Sequence, residues 1–179
     1  IGGPSTQSLD GLITTDTNFP PYHFLDNGCI TWGGPFKKNK TIVEKLEIDI
    51  PEYCMDGFNF KMEPGSEIIV KTGSRLTIMN SKLFACTDMW KGITVEDGAI
   101  LEVDNCTIED AQYGIRSPYG GASIFVTNSD FNRNFVGVYL DGPAVGDLTT
   151  LGAFFGNTFD GGSGLLTPYT GQSAAPAIS

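Results

Sequence analysis

The chain has 179 residues, including 23 Gly and 10 Pro, and its 11 Lys plus Arg against 21 Asp plus Glu give a formal net charge of −10. This acidity argues against nucleic-acid partners and anionic membrane surfaces, because both are recognised through clustered Lys and Arg. A charged fraction of only 18% with plentiful Gly excludes a coiled coil, and the absence of any run of ~18 apolar residues predicts no membrane-spanning segment.

Residues 1–60 are rich in Pro and contain an alternating apolar–polar stretch at 41–50. They do not fit the repeat described below, so we expect an N-terminal cap or lead-in region that covers an open sheet edge. The chain begins at Ile1 without a signal-peptide pattern and ends in small residues. We therefore expect a processed or excised piece of a longer multidomain polypeptide, with 161–179 as a linker-like tail.

A gapless repeat occupies the middle of the chain. Residues 76–83, 101–108 and 124–131 each follow the pattern apolar, any, apolar, any, Asn, small, any, apolar, and a weaker copy lies at 154–159. The Asn positions are 25 and 23 residues apart. Period-two alternation indicates strands, whereas ankyrin and tetratricopeptide repeats are longer and helical.

A second repeated element follows each of the first three copies, at 90–93, 112–115 and 135–138, with Gly before its last apolar residue. Coils of ~22–25 residues that hold several short strands are typical of a parallel β-helix. We predict an all-β parallel β-helix of about four coils over residues 61–160.

In such a coil, equivalent apolar side chains stack into interior columns, because one coil cannot bury its apolar side alone. The predicted columns are Leu76–Leu101–Ile124, Ile78–Val103–Val126 and Ile93–Ile115–Val138. Asn80, Asn105 and Asn128 fall where the first strand ends and the chain bends. We expect them to form a structural ladder, because Asn tolerates the left-handed conformation and its amides can bond along the axis.

The segments 89–95 (MWKGITV), 98–111 (GAILEVDNCTIEDA) and 113–115 (YGI) resemble right-handed parallel β-helix segments of large secreted surface proteins of gliding and gut Bacteroidota. Those proteins often end in a type IX secretion sorting domain. The resemblance covers about residues 61–160. It implies a right-handed helix, an extracellular or cell-surface location and membership of a long, adhesin-like polypeptide.

The four cysteines, Cys29, Cys54, Cys86 and Cys106, have no CxxC spacing, and with the single His23 they make a poor zinc set. Their even number favours an oxidising compartment and allows three connectivities if all pair. We favour Cys29–Cys54 and Cys86–Cys106, which join neighbours in sequence. Four buried thiols are the alternative.

Candidate ligand-binding residues lie on the outward side of the second repeated element. Arg116 is predicted to stand between Thr94 and Tyr139 in one column, with Lys91 and Tyr113 at neighbouring positions. A β-helix lyase needs a basic residue beside clustered carboxylates, and this column offers none. Exposed tyrosines, to which Tyr119 is added, are the kind of surface on which sugar rings stack.

Acidic residues are dense in one coil, which leaves calcium as the one cofactor to consider. They are Glu96, Asp97, Glu102, Asp104, Glu109 and Asp110. Calcium needs six or more convergent oxygens, whereas these side chains alternate around the coil, so we predict a solvated acidic face and no metal site.

Three functional hypotheses follow from these features. The first is a non-enzymatic extracellular module that is structural or adhesive and binds glycan or another surface protein weakly. The second is a polysaccharide lyase or glycoside hydrolase with a groove along one sheet. The third is a secreted cargo of a bacterial export system, present as a fragment. The lack of a convergent catalytic set favours the first.

Overall fold

The computed structural model of the protein describes residues 38–141, 148–162, 164–175 and 178. Its regular elements are sixteen short strands, all paired in parallel, and they form three sheets. No helix within those ranges is long and apolar enough to cross a bilayer. Cys29 and His23 lie outside the described residues, as do all the positions before Lys38.

Each of five coils contributes one strand to each of three sheets, and β16 adds a sixth strand to sheet 1. Sheet 1 contains β1 (Lys38–Ile42), β4 (Phe58–Met62), β7 (Lys82–Phe84), β10 (Thr107–Glu109), β13 (Asp130–Asn132) and β16 (Thr158–Asp160). Sheet 2 contains β2 (Lys45–Ile48), β5 (Glu67–Val70), β8 (Trp90–Val95), β11 (Ala111–Ser117) and β14 (Val136–Leu140). Sheet 3 contains β3 (Glu52–Asp56), β6 (Arg75–Met79), β9 (Ile100–Asp104), β12 (Ser123–Thr127) and β15 (Thr150–Phe155). The predicted parallel β-helix is confirmed, with about five coils.

The interior columns are those that the repeat predicts. Leu76 pairs with Leu101 and Leu101 with Ile124, while Ile78, Val103 and Val126 form the next file. In sheet 2, Ile93, Ile115 and Val138 stand in register. All nine side chains are at most 2% exposed and belong to one cluster that runs along the helix axis. Stacking neighbours therefore buries the apolar face that a lone coil would leave in water.

The β-helix begins earlier than the boundary predicted at residue 60. Strand β1 pairs with β4 from Lys38↔Phe58 to Ile42↔Met62, and β3 pairs with β6 in register. The first coil escapes the sequence pattern because Gly57, with φ 77°, stands at the corner that Asn80 occupies in the next coil. Glycine adopts the left-handed conformation as Asn does, but it does not match the Asn of the repeat pattern, so this coil is not recognised in the sequence.

The segment predicted as a linker-like tail, 161–179, packs back onto the coils over its described residues. The Tyr169 ring stacks on Phe135 with centroids 3.7 Å apart, and Leu165 is only 2% exposed. The amide of Met89 donates to the carbonyl of Thr167 at 2.8 Å. These contacts are tertiary, so this part of the chain does not behave as a linker.

The predicted Cys86–Cys106 disulfide is wrong, because both residues remain thiols. Cys106 lies at the corner before β10 and points inward, 3% exposed, where its Sγ donates to the carbonyl of Asp104 at 3.2 Å. Cys86 is exposed and lies after the end of β7, whereas Cys106 lies before the start of β10, the strand that pairs with β7. The two thiols therefore sit at different corners. The other predicted pair involves Cys29, which is outside the described residues.

Candidate functional site

The outer face of sheet 2 lies between the corners that connect it to sheet 1 and those that connect it to sheet 3. Most of the sequence-predicted ligand residues lie on this face. Arg116 pairs in register with Thr94 on one side and Tyr139 on the other, as the repeat predicts. Tyr113 pairs with Gly92, one position from Lys91. The side chains of Trp90, Ile93 and Ile115 point into the core. Because side chains alternate between the two faces of a strand, the polar residues beside them lie on the solvent side of the sheet.

Arg116 is positioned by aromatic contact. Its guanidinium carbon lies 5.3 Å from the centroid of the Tyr113 ring, which is within the range of a cation–π interaction. The rings of Tyr113 and Tyr139 are 5.4 Å apart and tilted by 53°. The three side chains therefore form a half-buried, aromatic-backed cationic platform.

The polar neighbours of this platform are engaged with one another. Thr94 Oγ1 donates to Glu67 Oε1 at 2.8 Å, and Lys91 Nζ lies 3.8 Å from Glu67 Oε2. The negative charge of Glu67 is thereby partly compensated. Tyr119, which was grouped with the platform residues from the sequence, lies outside the strands in the turn between β11 and β12 and is 66% exposed.

Glycine at two positions brings β8, β11 and β14 close enough to form the platform. A Cβ on Gly92, whose φ is 112°, would stand 1.5 Å from the carbonyl oxygen of Tyr113. A Cβ on Gly114 would stand 2.5 Å from the carbonyl oxygen of Gly137. Both distances are below any real contact, so the repeated Gly before the apolar residue is a packing requirement. The register shift between Tyr113 and Ile115 lies at the same place.

The predicted Asn ladder lies at the corner between sheets 3 and 1, and all three residues have φ near 50°. Asn105 Nδ2 donates to Asn80 Oδ1 at 2.7 Å, and Asn80 Nδ2 donates to Asp56 Oδ1 at the same distance. Asn128 departs from the pattern, because its Nδ2 donates to Asp104 Oδ1 at 3.1 Å. The column is therefore a mixed amide–carboxylate series, and its role is to hold the corners in register.

A charge cluster at the corner between sheets 1 and 2 was not singled out from the sequence. Arg133 binds Asp110 through two hydrogen bonds, Nε to Oδ1 at 2.9 Å and Nη2 to Oδ2 at 3.1 Å. Glu109 Oε2 lies 3.0 Å from Arg133 and 2.9 Å from Lys82 Nζ. Opposite charges one coil apart, as at Asp110 and Arg133, are the sequence pattern that identifies such a cluster.

The environment of this cluster shifts two pKa values. Burial alone would raise the pKa of Glu109, but hydrogen bonds from Lys82 and Asn132 and the charges of Lys82 and Arg133 bring it below its ordinary value. The hydrogen bonds that Arg133 donates to Asp110 raise the pKa of the guanidinium, against the effect of burial. The cluster joins three successive coils, so we interpret it as structural.

The six acids that are dense in one coil lie at separate corners and strands. Glu96 Oε1 is 2.6 Å from Lys71 Nζ, and Glu102 Oε1 is 2.7 Å from Arg75 Nη1. Glu109 and Asp110 belong to the cluster above. Within the part of the chain that the structure describes, no group of three or more His, Cys, Asp or Glu side chains is placed to hold a metal ion.

A cavity of about 530 Å³ lies between the last coil and the returning C-terminal segment. The rings of Phe131 and Phe159, which stack with centroids 4.8 Å apart, form one wall. Asn134, Asp160 and Gln172 contribute polar groups. Asn134 already donates to the carbonyl of Ile108 and accepts from the amide of Ala111, so its amide serves the backbone.

Comparisons with known proteins agree with this architecture. The family described as "Right handed beta helix region" matches residues 38–146, a range that begins with β1 and includes the outer face of sheet 2. Comparison with curated proteins and with solved structures found no match. Since the family match covers more than half of the chain, the protein belongs to the right-handed β-helix family.

Proposed function

We propose that this β-helix is a non-enzymatic extracellular module that binds glycans on the outer face of sheet 2. It would serve as a rigid, adhesive part of a longer secreted or surface-attached polypeptide. The observation that carries the proposal is the platform of Arg116, Tyr113 and Tyr139, three outward side chains of the adjacent strands β11 and β14, in which the Tyr113 ring lies beside both of the others.

The chemistry of the platform suits a sugar ring. Tyrosine offers an apolar face for the C–H groups of a pyranose and a hydroxyl for its polar edge. The sheet supplies rigid support, because the backbones of β8, β11 and β14 are paired and their interior residues are buried. A ligand that meets pre-ordered side chains loses less conformational entropy on binding.

The extracellular location and the bacterial origin rest on the resemblance of residues 89–115 to surface proteins of Bacteroidota. We propose export by the type IX route on the same basis. Labelling of intact producer cells with an antibody against the chain tests the location. Staining that requires cell permeabilisation would contradict it.

Binding is tested with a glycan array of neutral and acidic oligosaccharides, using the wild-type chain and a Tyr113→Ala, Tyr139→Ala double variant. We expect weak binding to a subset of glycans and its loss in the variant. Phe84→Ala is the matched control, because Lys82 Nζ lies 5.4 Å from the Phe84 ring on sheet 1 in a similar cation–aromatic pair. Equal loss in the control, or no bound glycan, would contradict the proposal.

A polysaccharide lyase or glycoside hydrolase is the alternative, and it is favoured by one observation. Among the described residues, Arg116 makes no ion pair, so its charge is available to a substrate. Incubation with acidic and neutral polysaccharides, with and without calcium, distinguishes the two functions. Cleavage of a polysaccharide that is abolished by Arg116→Gln would mean that the protein is an enzyme and not a binding module.

A further inference from the structure

Strand β15 (Thr150–Phe155) leaves one edge of sheet 3 unpaired. It is the last strand of that sheet and pairs with β12 alone. In the described part of the chain, no bridge or backbone hydrogen bond reaches its other edge. The N–H and C=O groups along such an edge are a template for pairing with another extended chain. The backbone of β15 therefore has the chemistry of a strand-pairing site.

The side chains at this edge are apolar and exposed. Leu148 is 74% exposed, Leu151 37% and Phe155 62%. Leu151 stands in register on the inward Ile124, whereas Phe155 follows an outward position of β12. Apolar surface is thus left in water on both faces of the edge strand, and covering it with another chain is favourable.

The opposite end of the β-helix differs, because its interior is shielded. Ile42, Leu46 and Ile48, the inward residues of β1 and β2, are at most 4% exposed. Leu151 is more exposed in the last coil, although the Ile124 beneath it is fully buried. Head-to-tail stacking of copies needs an open surface at both ends, so this contrast favours contact between two copies of the same end.

The edge also lacks charge. Residues 148–159 include no Asp, Glu, Lys or Arg, whereas these four types make up 18% of the chain. Edge strands are commonly protected from pairing by Lys or Pro, and β15 has neither. The chain carries a formal net charge of −10, so two copies repel each other least where the facing surfaces are uncharged.

From these observations we infer that β15 pairs with β15 of a second copy of this chain, antiparallel across a two-fold axis. Such an axis brings the same edge of both copies together, so one self-complementary surface is sufficient. Leu148, Leu151 and Phe155 of each copy lie in the interface. The dimer contact is on sheet 3 and is separate from the glycan-binding face proposed on sheet 2.

The bulge in β15 limits how far the backbones pair. Gly152 and Ala153 lie together opposite Phe125, and a strand bends at such a position. Regular pairing is therefore confined to a few residues, and the apolar side chains contribute most of the affinity. A small interface of this kind predicts weak and reversible association.

Sedimentation velocity of the complete chain across the micromolar concentration range tests the inference. We expect a monomer–dimer equilibrium in which the mean molar mass rises toward twice that of one chain and no further. Phe155→Lys should weaken dimerisation at least about tenfold, because like charges then face each other across the axis. Rising salt should strengthen wild-type dimerisation, because it screens the repulsion between two acidic chains.

Tyr119→Lys is the matched control, since it replaces an aromatic side chain of similar exposure, 66%, that lies outside β15. Its dimerisation should equal that of the wild type. Circular dichroism of both variants establishes that the β-sheet structure is retained. Hydrogen exchange at low and high protein concentration locates the contact, and we expect concentration-dependent protection of amides in β15.

Four outcomes would overturn the inference. A monomer at every concentration would leave the β15 edge to a strand of a different protein. Molar masses that continue to rise beyond the dimer would indicate open-ended stacking. Dimerisation that is unchanged by Phe155→Lys, or protection outside β15 alone, would place the contact on another surface. Equal weakening by Tyr119→Lys would attribute the effect to added charge and not to this edge.

Discussion

At the scale of single residues, the ion pair between Arg133 and Asp110 is the contact at which a substitution should most affect stability. Both residues have left-handed backbone conformations, with φ 50° and 60°, at equivalent corners of adjacent coils. The Asp110 side chain is 3% exposed, so removal of its partner leaves a buried carboxylate without compensation. The stability of this corner therefore depends on the ion pair as well as on the left-handed backbone conformation.

Arg133→Gln should lower the free energy of unfolding by about 2–4 kcal/mol, because Asp110 then stays buried without its cation. Urea denaturation at neutral pH measures the change. Arg75→Gln is the control, since the side chains of Arg75 and Glu102 are 41% and 34% exposed and such pairs contribute about 0–1 kcal/mol. Equal losses in the two variants would contradict the importance of burial.

Glu109 gives the same corner a dependence on pH. Because its folded pKa is lowered, the carboxylate contributes stability above the unfolded value of 4.5, and the contribution disappears as the pH falls through the folded pKa. Glu109→Gln should therefore cost about 1–2 kcal/mol near neutral pH, and the cost should shrink as the pH falls through the folded pKa of Glu109. Unfolding free energies of both proteins across this range provide the measurement. A cost that persists in acid would show that packing, not charge, is responsible.

At the scale of strands, the spacing between β8 and β11 depends on Gly92, which lies opposite Tyr113 just before the register shift at Gly114. Gly92→Ala should lower the free energy of unfolding by more than about 3 kcal/mol, because the new Cβ meets a backbone carbonyl that cannot turn aside. Gly98→Ala is the control. Its φ is 69°, and its Cβ would meet only a methyl group of Thr72 at 3.7 Å, so about 1 kcal/mol of strain is expected. Thermal unfolding followed by circular dichroism distinguishes the two.

The same strands show what the sequence predicts and what it does not. The column of Thr94, Arg116 and Tyr139 followed from repeat spacing alone, because parallel in-register coils bring equivalent positions side by side. The contact of Arg116 with Tyr113 did not, since it depends on rotamers and on the register shift at Gly114. Spacing fixes which residues are neighbours, whereas side-chain orientation depends on three-dimensional packing.

The last coil illustrates a second limit of the repeat pattern. Ile124 pairs with Leu151 but Val126 pairs with Phe154, so two residues of β15 oppose Phe125 alone. Gly152 is one of them, and the Phe125 ring fills the place where a Cβ would stand, 2.1 Å from a ring carbon. This insertion, absorbed as a bulge, moves Leu151 out of the gapless pattern, so that only the weaker copy at 154–159 is recognisable in the sequence. The physical requirement, a left-handed corner at Gly156, is still met.

At the scale of the whole molecule, the returning C-terminal segment partly covers the final coil. The amide of Ala175 donates to the carbonyl of Phe135, and Ile178 forms a bridge with Val138 at the edge of sheet 2. In the described part of the chain, no bridge or backbone hydrogen bond covers the outer edge of β15 in sheet 3, and Phe155 is 62% exposed. Open sheet edges favour pairing with other chains, so this segment protects one of the three edges from association.

Leu165→Ala tests whether the segment is part of the folded unit. Leu165 is 2% exposed, so truncation should cost about 2–4 kcal/mol, whereas Leu148→Ala, at a site that is 74% exposed, should cost less than about 0.5 kcal/mol. Hydrogen exchange locates the effect, because the Met89 amide is protected by the Thr167 carbonyl. Faster exchange at Met89 with unchanged exchange in β9 would mean that the segment detaches alone. Faster exchange at both would mean that it unfolds with the coils, and no change at either would contradict the docking of the segment.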